Sequence, residues 1–123
     1  MTDTNRTTTT TTPTTHADLA KRHCKPIKSG TPALSDEESK RLLGALPGWQ
    51  RREGVISKTY PFKNYHETIA FVNAVAWVSH REDHHPDLDV GYNQCTVRYS
   101  THSVGGLSEN DFICAAKIDV IQR

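Results

Sequence analysis

Ten of the first fifteen residues are threonine, and the tract carries almost no large apolar side chain. Such a composition cannot bury enough surface to offset the entropy of ordering the backbone. Residues 1–30 are therefore read as a disordered Thr-rich tail, and residues 31–123 as the folded domain. Removing the tail is expected to leave fold and turnover of the rest intact. A domain this small buries a limited fraction of its surface, so self-association would help it.

Fifteen basic and fourteen acidic side chains give a net charge of +1, with no basic run or stripe. Phosphate contacts need clustered Lys and Arg, so direct nucleic-acid binding is disfavoured. No apolar stretch reaches the length of a membrane span. The N-terminal residues lack the basic-then-apolar pattern of a secretory signal and are a poor transit peptide. Cys24, Cys95 and Cys114 are odd in number and widely spaced, without a CxxC pair. They read as small buried apolar residues rather than a disulfide framework, which suits a reducing cytoplasm.

Ser35-Asp36-Glu37-Glu38 has capping-box spacing before Leu42, Leu43 and Leu46, which predicts a short helix ended by Pro47-Gly48. Trp49 to Phe62 reads as two strands around a Glu53-Gly54 turn, with Ile56, Lys58 and Tyr60 alternating against Val55, Ser57 and Thr59. Asn64 caps a long helix running to about Arg81. Tyr65, Ile69, Val72 and Ala76 share one face, widened by Phe71, Val75 and Val78. Trp77 lies on the otherwise polar line of His66, Ala70 and Asn73. A helix apolar on so many sides packs on more than one surface, and a second subunit is the expected cover. Pro86 stops it. Leu88 to Val90 and Gln94 to Thr101 form a second strand pair, and Ser108 opens a last helix. The fold class is α+β: a four-stranded antiparallel sheet with three helices packed on one face.

Four of the seven histidines fall in two short segments, His80-Arg81-Glu82-Asp83-His84-His85-Pro86 and Ser100-Thr101-His102. The first follows the end of the long helix and the second the end of the last strand, so one cleft can hold both. Imidazole both takes and gives a proton near neutrality. Asp83, Asp87 and Asp89 could orient the rings or raise their basicity. Asp111 reads as a charge stabilising the N-terminus of the last helix. His16, His23 and His66 have no sequence companions and read as inert. A metal alternative uses His80, His84 and His102, but no Cys joins them and no HExxH glutamate is present. With no G-x-S-x-G, nucleophilic Cys or phosphate loop, histidine acid–base chemistry leads, with no metal.

These residues also form a longer pattern: an ionisable residue (His80), three residues, His84-His85-Pro86, five residues, Tyr92, nine residues, His102, and Asp111 after a further eight. Together with Gly48-Trp49, Phe62-Lys63-Asn64-Tyr65 and Gly106-Leu107-Ser108-Glu109-Asn110-Asp111, it resembles the pterin-4a-carbinolamine dehydratase, or dimerisation cofactor, family over about residues 31–122. The resemblance implies dehydration of 4a-hydroxytetrahydropterin to quinonoid dihydropterin, which recycles the pterin of aromatic amino-acid hydroxylases without a cofactor. It implies His84, His85 and His102 as catalytic residues. It implies pterin contacts from Asp83, His84 and His85 and from Ser100, Thr101, His102 and Ser103. Many members carry glutamate where His80 stands. It further implies a homodimer or homotetramer, and the cysteine usage places it in the cytoplasm. The alternative function is a protein-binding coactivator, with Trp77, His66, Ala70 and Asn73 as its docking face.

Overall fold

The structure is a computed structural model and describes residues 13–122. Its elements are α1 (His16–Lys21), α2 (Asp36–Leu43), β1 (Gln50–Arg52), β2 (Val55–Pro61), α3 (Tyr65–Glu82), β3 (Asp87–Val90), β4 (Gln94–Tyr99), a 3-10 turn (His102–Val104) and α4 (Glu109–Gln122). The four strands form one antiparallel sheet in the order β1-β2-β4-β3. The α+β sheet expected from the sequence is present, with four described helices rather than three.

Local signals set the boundaries. Glu53 and Gly54 both take positive φ (48° and 78°), the left-handed pair that a tight hairpin between β1 and β2 requires. Ser35 Oγ accepts the Glu38 N–H at 3.1 Å, but the Glu38 carboxylate turns to Arg41, so only half of the expected capping box forms. Asn64 Oδ1 accepts the Glu67 N–H at 2.9 Å and starts α3 where the sequence predicts.

Alternation decides the core. Ile56 and Tyr60 on β2 and Cys95, Val97 and Tyr99 on β4 are buried, and they meet Phe71, Val75 and Val78 of α3 and Phe112, Ile113 and Ile118 of α4. The other sheet face is polar: Thr59 and Thr96, direct partners in the register, bond at 2.7 Å. A one-residue slip would exchange the two faces, so the register is firmly specified.

The tail assignment needs correction. Residues 1–12 lie outside the described residues, but residues 13–30 are not a loose tail. Thr15 and Asp18 form a reciprocal capping box, Thr15 Oγ1 with the Asp18 N–H and Asp18 Oδ2 with the Thr15 N–H, each at 3.0 Å. That box opens α1, whose Leu19 is 0% exposed in the common core. A six-residue helix has no stability of its own, so docking holds it. Lys117 Nζ donates to the Ala20 carbonyl at 2.7 Å, and Arg22 pairs with Glu109 at 2.5 Å. His16 and His23, read as inert from the sequence, bond to Asp119 and Glu82, each at 2.9 Å. Composition averaged over thirty residues hid one anchoring leucine and one capping motif.

Candidate active site

The end of α3 sets the first half of the site. Asp83 caps the helix in the left-handed region (φ 53°), and its N–H and that of His84 turn back to the carbonyls of the last turn. Asp is among the few non-glycine residues that tolerate this conformation. The reversal brings His84 inward while His85 stays exposed, and Pro86 leads into β3. The His84 ring lies flat against Tyr99, 5.6 Å between centroids at 12°.

Asp111, in the first turn of α4 and 0% exposed, completes the arrangement. Its Oδ1 is 2.6 Å from His84 Nε2. Its Oδ2 accepts from Thr101 Oγ1 at 2.8 Å and from the Ser108 N–H at 2.9 Å. Thr101 and Ser108 hydroxyls lie 2.7 Å apart. The carboxylate therefore does two things. It caps its own helix, as the sequence suggests, and it also holds the imidazole, which spacing alone does not reveal. Burial would pull the His84 pKa down. The hydrogen bond and charge of Asp111 outweigh it and hold the imidazolium above its ordinary range.

Beside His84 opens a cavity of about 440 Å³, with His80, Asp83 and His85 on its polar side and Val75, Ala76 and Leu88 on its apolar side. Its size and mixed lining suit a small, flat, polar-edged molecule. Ser100, Thr101, His102 and Ser103 are not on this wall. Thr101 bridges to Gly106, its N–H donating to the Gly106 carbonyl at 2.7 Å. That closure leaves His102 and Ser103 exposed on a one-turn loop. The two histidine segments are thus joined through one chain of contacts, His84 to Asp111 to Thr101, with His102 next in sequence. Sequence reasoning missed Tyr99 as the stacking platform and Ser108 as part of the network. Nowhere among the described residues do three or more His, Cys, Asp or Glu side chains gather in a metal-holding group.

The chain is similar to known proteins in sequence and in fold. The family model described as pterin 4 alpha carbinolamine dehydratase matches residues 32–121. A protein provisionally named pterin-4-alpha-carbinolamine dehydratase from Nitrosomonas eutropha is 64% identical over 105 residues, covering 85% of this chain and 93% of that protein. One of the same name from Nitrosospira multiformis is 60% identical over 108 residues, covering 88% and 96%. The crystal structure of a transcriptional coactivator/pterin dehydratase from Brucella melitensis is similar at a TM-score of 0.70 and 32% identity, covering 72% of this chain and 97% of that one.

Proposed function

The chain belongs to the pterin 4 alpha carbinolamine dehydratase family, and on that premise we propose that it removes water from 4a-hydroxytetrahydropterin by histidine acid–base catalysis. The observation that carries the reading is the buried Asp111 holding His84 beside a cavity rimmed by His80, Asp83 and His85. Dehydration of a carbinolamine removes a proton from the ring nitrogen and delivers one to the departing hydroxyl on the adjacent carbon. The products are a C=N bond and water. His84, kept protonated by Asp111, is the acid: Nε2–H stays on the carboxylate, and Nδ1–H supplies the proton to the hydroxyl. This is the orienting role a carboxylate plays behind a catalytic histidine. His85 and Asp83 position the pterin from the cavity. His102, outside the cavity wall with Ser100, Thr101 and Ser103, takes the ring-nitrogen proton only of a pterin that reaches past the rim to its exposed turn. The product returns to the tetrahydropterin pool used in aromatic amino-acid hydroxylation, in the cytoplasm. Rapid-mixing measurement of dehydration on freshly generated substrate tests the reading. A rate equal to the spontaneous one would sink it.

No metal takes part in this scheme. Turnover is expected to survive exhaustive chelation, and activity lost to a chelator and restored by zinc or iron would require a metal step instead.

Assembly is part of the same proposal. Trp77 is 60% exposed, with the Arg81 guanidinium stacked 4.9 Å from its ring centroid. With Val78, Val120 and Ile121 it lines a groove of about 430 Å³. No described helix is long and apolar enough to cross a membrane. The groove is instead the contact surface of a symmetric homodimer or homotetramer. Trp77→Glu is expected to shift the protein to smaller species in light scattering while the dehydration rate constant per site stays within about twofold, because Trp77 does not touch the histidine cavity. An unmodified protein that is monomeric at micromolar concentration would refute it. A second reading, a protein-binding coactivator, is favoured by the same exposed surface and by the likeness to the Brucella melitensis protein, which is named a transcriptional coactivator/pterin dehydratase. It predicts a partner docked over Trp77 and needs no change in the spontaneous dehydration rate.

A further inference from the structure

The segment His23-Cys24-Lys25 lies before the family-matched residues and crosses the junction where α3 ends and α4 begins. Glu82, the last residue of α3, accepts the Cys24 N–H at 2.7 Å. Asn110, in the first turn of α4, exchanges two bonds with Lys25: its Oδ1 accepts the Lys25 N–H at 3.1 Å and its Nδ2 donates to the Lys25 carbonyl at 2.9 Å. Between these clamps, Cys24 Sγ lies 3.4 Å from Cys114 Sγ. Cys24 is half-buried and Cys114 fully buried, while Cys95 is buried in β4. We propose that Cys24 and Cys114 form a reversible disulfide, a modification site that staples the N-terminal strap to α4.

The geometry favours closure. Both backbones are already fixed on either side of the pair, and reaching the ~2.05 Å of a disulfide asks for about 1.4 Å of approach, within the range of χ1 adjustment. The oxidant is a low-molecular-weight disulfide such as oxidised glutathione. The bond to Cys114 and burial hold the Cys24 thiol protonated, so Cys24, the more exposed of the two, passes its proton to the Cys114 sulfur 3.4 Å away as it attacks. The S–S bond of glutathione breaks, one glutathione thiolate leaves, and a mixed disulfide forms on Cys24. Cys114 then attacks Cys24 Sγ and expels the second glutathione. The net change is two protein thiols oxidised to one disulfide and one glutathione disulfide reduced to two thiols. With Cys24 capped, the departed glutathione thiolate takes the Cys114 proton, and the charge of the nearby His84 favours the Cys114 thiolate for this second attack.

The test equilibrates the full chain in glutathione buffers from reducing to oxidising. Samples are acid-quenched, alkylated and mapped by mass spectrometry without reduction. The expected result is a linked Cys24–Cys114 peptide pair within single chains, with Cys95 alkylated at every poise. The oxidised protein should unfold at a higher denaturant midpoint than the reduced one, and reductant should reverse both changes. Cys24→Ser should lose the linked pair and the redox dependence of the midpoint. Glutathione remaining on Cys24, linkage between two chains, or three alkylatable thiols at the oxidising end would each overturn the proposal. No readout here is dehydration, so the result stands apart from the proposed activity.

Discussion

His84→Ala and His102→Ala are each expected to lower enzyme-catalysed dehydration by at least about tenfold, a conservative floor beneath the ~10²–10⁴-fold that a positioned acid or base contributes. His85→Ala should act more on KM than on turnover, because His85 is exposed on the cavity rim and its proposed role is to position the pterin. Rapid-mixing kinetics on the three purified variants checks this, and near-unmodified turnover in both the His84 and His102 variants would end the assignment. Asp111→Asn separates the acid from its support. The substitution removes the charge that keeps the His84 imidazolium above its ordinary range. The alkaline limb of kcat/KM should therefore move to lower pH, and so should the His84 ring titration followed by NMR. The sign of the stability effect follows. A histidine with a raised folded pKa stabilises fully below the unfolded value near 6.5 and loses that contribution as pH rises through the folded value. The unmodified protein should therefore lead Asp111→Asn most in mildly acid solution. A pH profile unmoved by the substitution would show that Asp111 serves α4 alone.

What could be read from the chain and what could not divides along the distance over which each interaction acts. Alternation over a few residues placed Ile56 and Tyr60 on the buried face of β2, and a single cap at Asn64 placed the start of α3. Those signals are local. The His84–Asp111 bond joins residues 27 apart, and a nearer explanation, helix capping, already accounts for an acid at position 111. Only the three-dimensional meeting of α3, β4 and α4 shows that one carboxylate serves both ends. The same holds for His16 and His23, whose partners Asp119 and Glu82 stand 103 and 59 residues away. The resemblance carried the site residues further than spacing alone, but it begins near residue 31 and so gave no hint of the strap. α1 was nonetheless within reach of sequence reasoning, since Thr15-His16-Ala17-Asp18 has capping-box spacing before Leu19 and Ala20. Its threonine-rich surroundings masked it.

The strap is accordingly expected to be structural. Leu19→Ala should destabilise the protein by about 2–3 kcal/mol, the low end for a fully buried leucine, because a helix of six residues can undock rather than leave a rigid cavity. For a domain near this size that is a fall of roughly 8 °C or more in Tm. Deleting the chain through residue 25 should cost more than the single substitution. It strips Leu19 from the core and takes His16 from Asp119. It also leaves the buried Glu82 carboxylate without the Cys24 N–H and His23, with Lys117 at 3.8 Å as its remaining partner. A buried carboxylate that loses its donors is costly in itself. Glu82 immediately precedes Asp83 and His84, so disturbance there is transmitted to the candidate site. Thermal unfolding of the truncated and full chains decides the matter. Melting temperatures within about 2 °C of each other would mean that the docked helix contributes little and that the residues through 25 can be dispensed with after all.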